Sequence, residues 1–329
     1  MCRSTEIYSP PDKRREQYKK RMPATITKKS EKIQVNKAIQ TIIDDVSSNN
    51  IKEKLNHISS FHTRHSKSQF INEVAEWLLN EFKNVGYSNA SYHNYDAAID
   101  NKEYQLKNII CEKEGENNKM IIICAHYDCI MEDLQDHTSR APGANDNASG
   151  ISAILEIARV LINEKLSYTI QFVLFSGEEQ GLHGSVQYSK FIKEKNLQLF
   201  RLINLDMIGY PQLNPGIVII ERDNNSDLRH NRVRENDDLS IETGEIMTRM
   251  AKYNNLEFDL DSIYDSDYEP FEAKGYVVIG AYDGSAENIN PHYHNSSDTP
   301  SLIDWDYLTS VTKMVLATIL TLDKENHST

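Results

Sequence analysis

The run Met120-Ile121-Ile122-Ile123-Cys124-Ala125, followed at once by His126-Tyr127-Asp128, organises the chain around it. Six consecutive apolar residues suit a strand buried on both faces, as in the middle of an α/β sheet. The polar triplet that ends the run falls where ligands collect in such sheets, beyond the carboxyl end of a strand. Downstream, the apolar periodicity predicts a helix over 149–163, a strand over 169–175, a helix over 183–195 and a strand over 200–205. This alternation predicts an α/β fold: one central mixed, largely parallel β-sheet flanked by helices.

Further out, helices are expected over 36–46 and 68–85. The second carries Phe70, Ile71, Val74, Trp77, Leu78 and Phe82 at helical spacing and is stopped by Gly86. Strands over 90–95 and 104–112 flank Asp100-Asn101, which predicts a hairpin. The C-terminal third reads as a strand near Val218, a helix over 241–253, a strand over 276–281 and a closing helix over 305–322. Residues 36–325 read as one domain. Residues 1–35 read as a basic tail, because 1–32 carry ten Lys/Arg against four Asp/Glu.

Composition excludes several classes. The net charge of −13 disfavours nucleic-acid binding, since phosphates must be neutralised by cations. No apolar run approaches the ~18–20 residues of a membrane span. The first 32 residues lack the apolar core of a secretory signal, so the chain as written is expected in the cytoplasm. Four cysteines are too few for a disulfide scaffold. Cys111 and Cys124 are expected in neighbouring strands as buried small hydrophobes.

The chemistry sits at the strand ends. His126 follows one apolar strand, Glu178-Glu179 another and Asp206 a third; His292-Tyr293-His294 come after the last. The long loop 127–148 holds Asn145-Asp146-Asn147. Singly, each is an ordinary polar residue. Together, acids gathered at one sheet edge repel unless a cation sits among them. Two histidines with carboxylates are a donor set that zinc prefers.

Five ordered blocks carry a resemblance: Ala125–Asp128, Gly143–Gly150, Phe175–Leu182, Asn204–Tyr210, and Pro291–His294 through Asp298-Thr299. They resemble the M28 family of zinc metallopeptidases, and most of all its bacterial two-zinc aminopeptidases. The likeness spans roughly residues 55–322. It implies two zinc ions per chain, with Asp146 bridging them, His126 and Asp206 completing one site, and Glu179 and His294 completing the other. It further implies Glu178 as the general base acting on a metal-bridging water, Asp128 as the carboxylate orienting His126, and a cis peptide after Asp146. Such a centre would remove the first residue from peptides with a free N-terminus. Adjacent acids suit this division of labour, because one can face the metal while the other faces the water.

Other residues are read more openly. Tyr293 is either a hydrogen-bond donor to the developing oxyanion or a packed aromatic. Asp298 either orients a loop or caps a turn. His292 reads as a non-ligand, and Arg64 is assigned no chemistry. Ser266-Asp267-Tyr268-Glu269-Pro270-Phe271 resembles the family's substrate-side segment, with Tyr268 and Phe271 as candidates for the pocket wall. Three other activities stay open: a single-zinc glutaminyl cyclase on the same scaffold, a family carboxypeptidase and a non-catalytic binding module. Tyr293, where cyclases tend to carry Trp, and the Gln180–Ser185 stretch favour the peptidase.

Overall fold

A computed structural model describes residues 36–211, 216–284 and 290–325. The tail read over 1–35 lies outside the described residues. The described chain forms one eight-stranded sheet in the order β1-β2-β4-β3-β5-β8-β6-β7. Its strands are β1 Ser91–Ile99, β2 Lys102–Lys113, β3 Lys119–His126, β4 Thr169–Phe175, β5 Gln198–Leu205, β6 Ile217–Arg222, β7 Glu257–Ser262 and β8 Val278–Tyr282. The central four, β4-β3-β5-β8, are mutually parallel. β2 joins β4 and β6 joins β8 in the antiparallel sense.

The helices are α1 Lys37–Asp44, α2 Ser48–Ile58, α3 Ile71–Val85, α4 Ser149–Leu161, α5 His183–Glu194, α6 Asp237–Tyr253, the short α7 Glu269–Glu272 and α8 Trp305–Glu325. Strand β3 shows why both sheet faces need cover. Ile121, Ile123 and Ala125 enter the core beneath α1–α4, α6 and α8, while Met120, Ile122 and Cys124 enter a second core with Tyr188 and Ile192 of α5 and Phe271 of α7. Alternate residues of one strand thus feed two cores, which requires the near-continuous apolar run seen in the sequence.

Local chemistry sets several boundaries. Asp100 and Asn101 both take positive φ (50° and 61°), as the two-residue turn of the β1–β2 hairpin requires. Gly86, at φ 121°, ends α3, and its N–H reaches back to Lys83 O.

Three expectations need correction. Helix α2 and strand β7 add to the expected elements. Cys111 and Cys124 are not in neighbouring strands, because β4 is inserted between β2 and β3. Cys111 faces Phe172 and Cys124 faces Val173 in register, and both thiols are free and buried. Tyr268 and Phe271 are wholly buried rather than on a pocket wall. Phe271 packs near Phe175, and the Tyr268 hydroxyl bonds Glu221 at 2.9 Å. A pocket wall needs side chains that a ligand can touch.

Candidate metal centre

The four parallel strands end at one edge, and the two strands that follow β3 in the chain lie on opposite sides of it. The crossover through α4 leads to β4, and the next, through α5, leads to β5 on the other flank. Such a switch point opens a crevice beyond the strand ends. His126 is the last residue of β3 and Asp206 directly follows β5. Glu178 and Glu179 lie in the turn after β4, and His294 lies beyond β8.

These side chains converge. His126 Nε2 lies 3.2 Å from Asp146 Oδ1 and 3.2 Å from Asp206 Oδ1. His294 Nε2 lies 3.1 Å from Asp146 Oδ2 and 3.0 Å from Glu179 Oε2. The two oxygens of one carboxylate therefore address two imidazoles, each with a further carboxylate of its own. Glu178 joins His126 and Glu179 in a third grouping whose donor atoms lie within 4.8 Å of one another. All are buried except Asp206, which is half-buried.

The arrangement fits a metal. A tetrahedral ion with bonds of ~2.0–2.1 Å has ligands roughly 3.3 Å apart, close to the four separations seen. Both Glu179 oxygens and His294 Nε2 are buried without a well-aligned hydrogen bond, although Oε2 and Nε2 approach to 3.0 Å. The electrostatics agree. Burial opposes charge on His126, yet Glu178 and Asp206 hold its pKa well above the ordinary value. Burial, then the charge of Asp146, raises Glu179. Burial also opposes charge on Asp146, but the two histidines hold its pKa below the usual range. Such a donor set is stabilised by cations.

The backbone around the donors is stitched from several directions. The Asp298 carboxylate accepts the N–H of Asn145 (2.9 and 3.1 Å) and of Asp146 (3.0 Å), so it orients the loop. Asn147 donates to Leu205 O at 2.8 Å and accepts the N–H of Gly150 and Met207. Asn145 Oδ1 accepts from Gly209 N at 2.9 Å. The two asparagines of Asn-Asp-Asn, by default turn formers, thus tie the turn Ala144–Ala148 to the chain beyond β5. The Asp146–Asn147 peptide is cis.

Asp128 acts differently from expectation. His126 Nδ1 meets its backbone carbonyl at 3.1 Å, while the carboxylate stands 3.8 Å away. The carboxylate instead accepts the N–H groups of Glu178 and Glu179, both at 3.2 Å. It thereby holds the Glu-Glu turn, and a carbonyl serves the histidine equally well. Ser266 opens the segment 266–271 that resembles the family's substrate side. It donates to Asp206 Oδ2 at 2.7 Å and accepts from Asn204 Nδ2 at 2.8 Å. The Tyr293 ring stacks on His294, centroids 3.6 Å apart, and His292 bonds Ser297 instead of entering the centre.

A separate grouping, His230, Asp265 and Glu269, brings three donor atoms within 4.8 Å of one another. His230 Nδ1 hydrogen-bonds the Glu269 carboxylate, which also accepts the Asp265 N–H at 2.9 Å. These bonds fasten the 227–233 loop to α7.

The sequence profile of peptidase family M28 matches residues 108–319, which carry every donor described above. The chain belongs to peptidase family M28. Leucine aminopeptidase 1 of Trichophyton equinum is 28% identical to this M28 chain over 296 residues, covering 87% of it and 77% of the relative. The aminopeptidase LapA of Legionella pneumophila has the same fold, with a TM-score of 0.73 at 22% identity over 90% of this chain and 77% of LapA. A glutaminyl cyclase of Porphyromonas gingivalis shares it as well, with a TM-score of 0.71 at 20% identity over 84% of this chain and 99% of the cyclase. The M28 fold by itself therefore does not separate peptide hydrolysis from cyclisation.

Proposed function

We propose that this M28 chain is a two-zinc aminopeptidase that hydrolyses the first peptide bond of substrates with a free N-terminus. The observation that carries the reading is Asp146, whose two oxygens stand 3.2 and 3.1 Å from His126 and His294. His126, Asp146 and Asp206 would hold one ion, and Asp146, Glu179 and His294 the other. Bound zinc supplies a water acidified toward pKa ~7 and a Lewis acid for the scissile carbonyl. The 28% identical leucine aminopeptidase supports the same activity.

The chain's own residues do the rest. Glu178, buried beside His126 and Glu179, takes the proton of the attacking water and delivers it to the leaving amine. Asp128 fixes the Glu178 and Glu179 backbone, so the base and the ligand cannot drift independently. Tyr293, stacked on His294, donates its hydroxyl to the developing oxyanion. Asp298 and the two asparagines keep the turn that carries the Asp146 carboxylate in place.

One experiment tests the reading: zinc content of the purified protein, with hydrolysis of aminoacyl anilides and peptides, unblocked and N-acetylated. Two zinc ions per chain, and cleavage of unblocked substrates that a chelator abolishes, are expected. One zinc with cyclisation of N-terminal Gln would identify a glutaminyl cyclase instead. Release from the carboxyl end would identify a carboxypeptidase, and zinc without turnover a binding module.

A further inference from the structure

Arg64 lies outside the donor set, and its side chain grips backbone alone. It is wholly buried. Nε donates to Tyr127 O at 2.8 Å, Nη1 to Pro142 O at 2.5 Å and Nη2 to Gly143 O at 2.9 Å, with Asp146 O at 3.5 Å. Its own N–H points to Cys129 Sγ at 3.3 Å. The gripped carbonyls belong to two segments. Tyr127 directly follows the donor His126, and Pro142 and Gly143 lead into the turn that carries Asp146. Between them the chain makes a long excursion with no helix or strand.

A buried guanidinium is costly unless its donors are met, and its planar fork suits several fixed carbonyls where an ammonium would not. The fit is close: Gly143 has φ +50°, and a methyl group on it would lie 2.6 Å from Arg64 Nη2. From the other side Asp298 holds the N–H groups of Asn145 and Asp146. The Asp146 turn is thus held between an anion on its N–H groups and a cation on its carbonyls.

We infer that Arg64 is a positioning residue of the metal centre, spanning the His126 strand end and the Asp146 turn and fixing the distance between two donors that share one ion. The inference rests on the zinc reading above for what the donors hold. Packing alone would make Arg64 a loop fastener whose loss lowers stability. Positioning makes its loss lower metal affinity in a protein that still folds.

The test measures zinc affinity by competition with a chromophoric chelator, together with kcat, KM and far-UV circular dichroism, for wild type, Arg64→Lys and Arg64→Ala. Both variants should keep the wild-type spectrum, bind zinc at least tenfold more weakly and lose at least tenfold in kcat with KM little changed. Millimolar guanidinium should restore affinity and kcat in Arg64→Ala, where it can occupy the vacated space, and leave Arg64→Lys unaltered. Wild-type affinity and kcat in folded Arg64→Lys would overturn the inference, as would an Arg64→Ala variant deaf to guanidinium. Failure of both variants to fold, with guanidinium or without, would assign Arg64 to the fold and overturn it too. Zinc affinity is read without turnover. A wild type that binds zinc and cleaves nothing would therefore remove the hydrolytic reading, while the variant-to-wild-type affinity ratio would still decide the role of Arg64.

Discussion

Asp146 shares one carboxylate between two histidines, so no neighbour can replace it. Asp146→Ala should lose metal from both positions, as read by zinc content after dialysis; two zinc ions still bound would contradict the bridge. Glu178 differs, because the proposed mechanism has it serve the water rather than the ion. Glu178→Ala should keep its zinc and lose roughly 10²–10⁴-fold in kcat. Near-wild-type turnover would remove it as the base. A third residue sets a pH dependence of stability. The buried His65 ring accepts the Lys67 N–H on Nδ1 at 3.0 Å, which requires the neutral form. Burial, then the Lys67 charge, lowers its pKa from 6.5 to about 4. Between these values the unfolded chain binds more protons than the folded one. The contribution is therefore full above pH 6.5 and lost as pH falls toward 4, up to about 3 kcal/mol. Urea unfolding at pH 7.5 and pH 5 should show a larger acid loss for wild type than for His65→Gln.

At the scale of elements, helix α2 depends on a residue far away in sequence. It buries Ile51, Leu55 and Ile58, and Ser47 caps it by accepting the Asn50 N–H at 3.3 Å. The Ser47 N–H in turn donates to Glu156 Oε1 of α4 at 2.6 Å, and Arg159 neutralises that buried carboxylate at 2.7 Å. Glu156→Ala should destabilise the protein by about 1–3 kcal/mol in urea unfolding, because it strands the Ser47 N–H. The metal centre lies elsewhere, so kcat should change little. A large loss of kcat at unchanged stability would show that α2 and α4 are coupled to the centre.

For the whole molecule, the metal and the fold are linked. The crevice gathers Asp128, Asp146, Glu178, Glu179 and Asp298 in buried positions, with Arg64 as a wholly buried cation beside them. A ligand that binds only the folded state stabilises it by about 4 kcal/mol at a thousandfold excess over its Kd. Chelation should therefore lower Tm by roughly 5 °C or more, and added zinc should restore it. Asp146→Ala should be indifferent to the chelator. A wild-type Tm unmoved by chelation would argue against metal in the centre. Among the described residues no helix is long and apolar enough to cross a membrane.

By itself the sequence determined the layers and the edge where the donors gather. Six apolar residues in β3 and the apolar run of β4 demand burial on both faces, and the polar residue after each strand has one place to go. That information is local, because hydrophobic period and strand ends are written in neighbouring residues. The tertiary structure alone decided the rest. The polar edge strand β7, Glu-Phe-Asp-Leu-Asp-Ser, carries too few apolar residues to announce itself. The insertion of β4 between β2 and β3 separates Cys111 from Cys124, and no local preference encodes strand order. Tyr268 and Phe271 lie in a core that exists only once α5 and α7 cover the sheet. The Asp128 carboxylate and the Arg64 guanidinium find their partners 50 and 63 or more residues away. Hydrogen bonds at that separation are chosen by the packed fold, because chain neighbours cannot reach them.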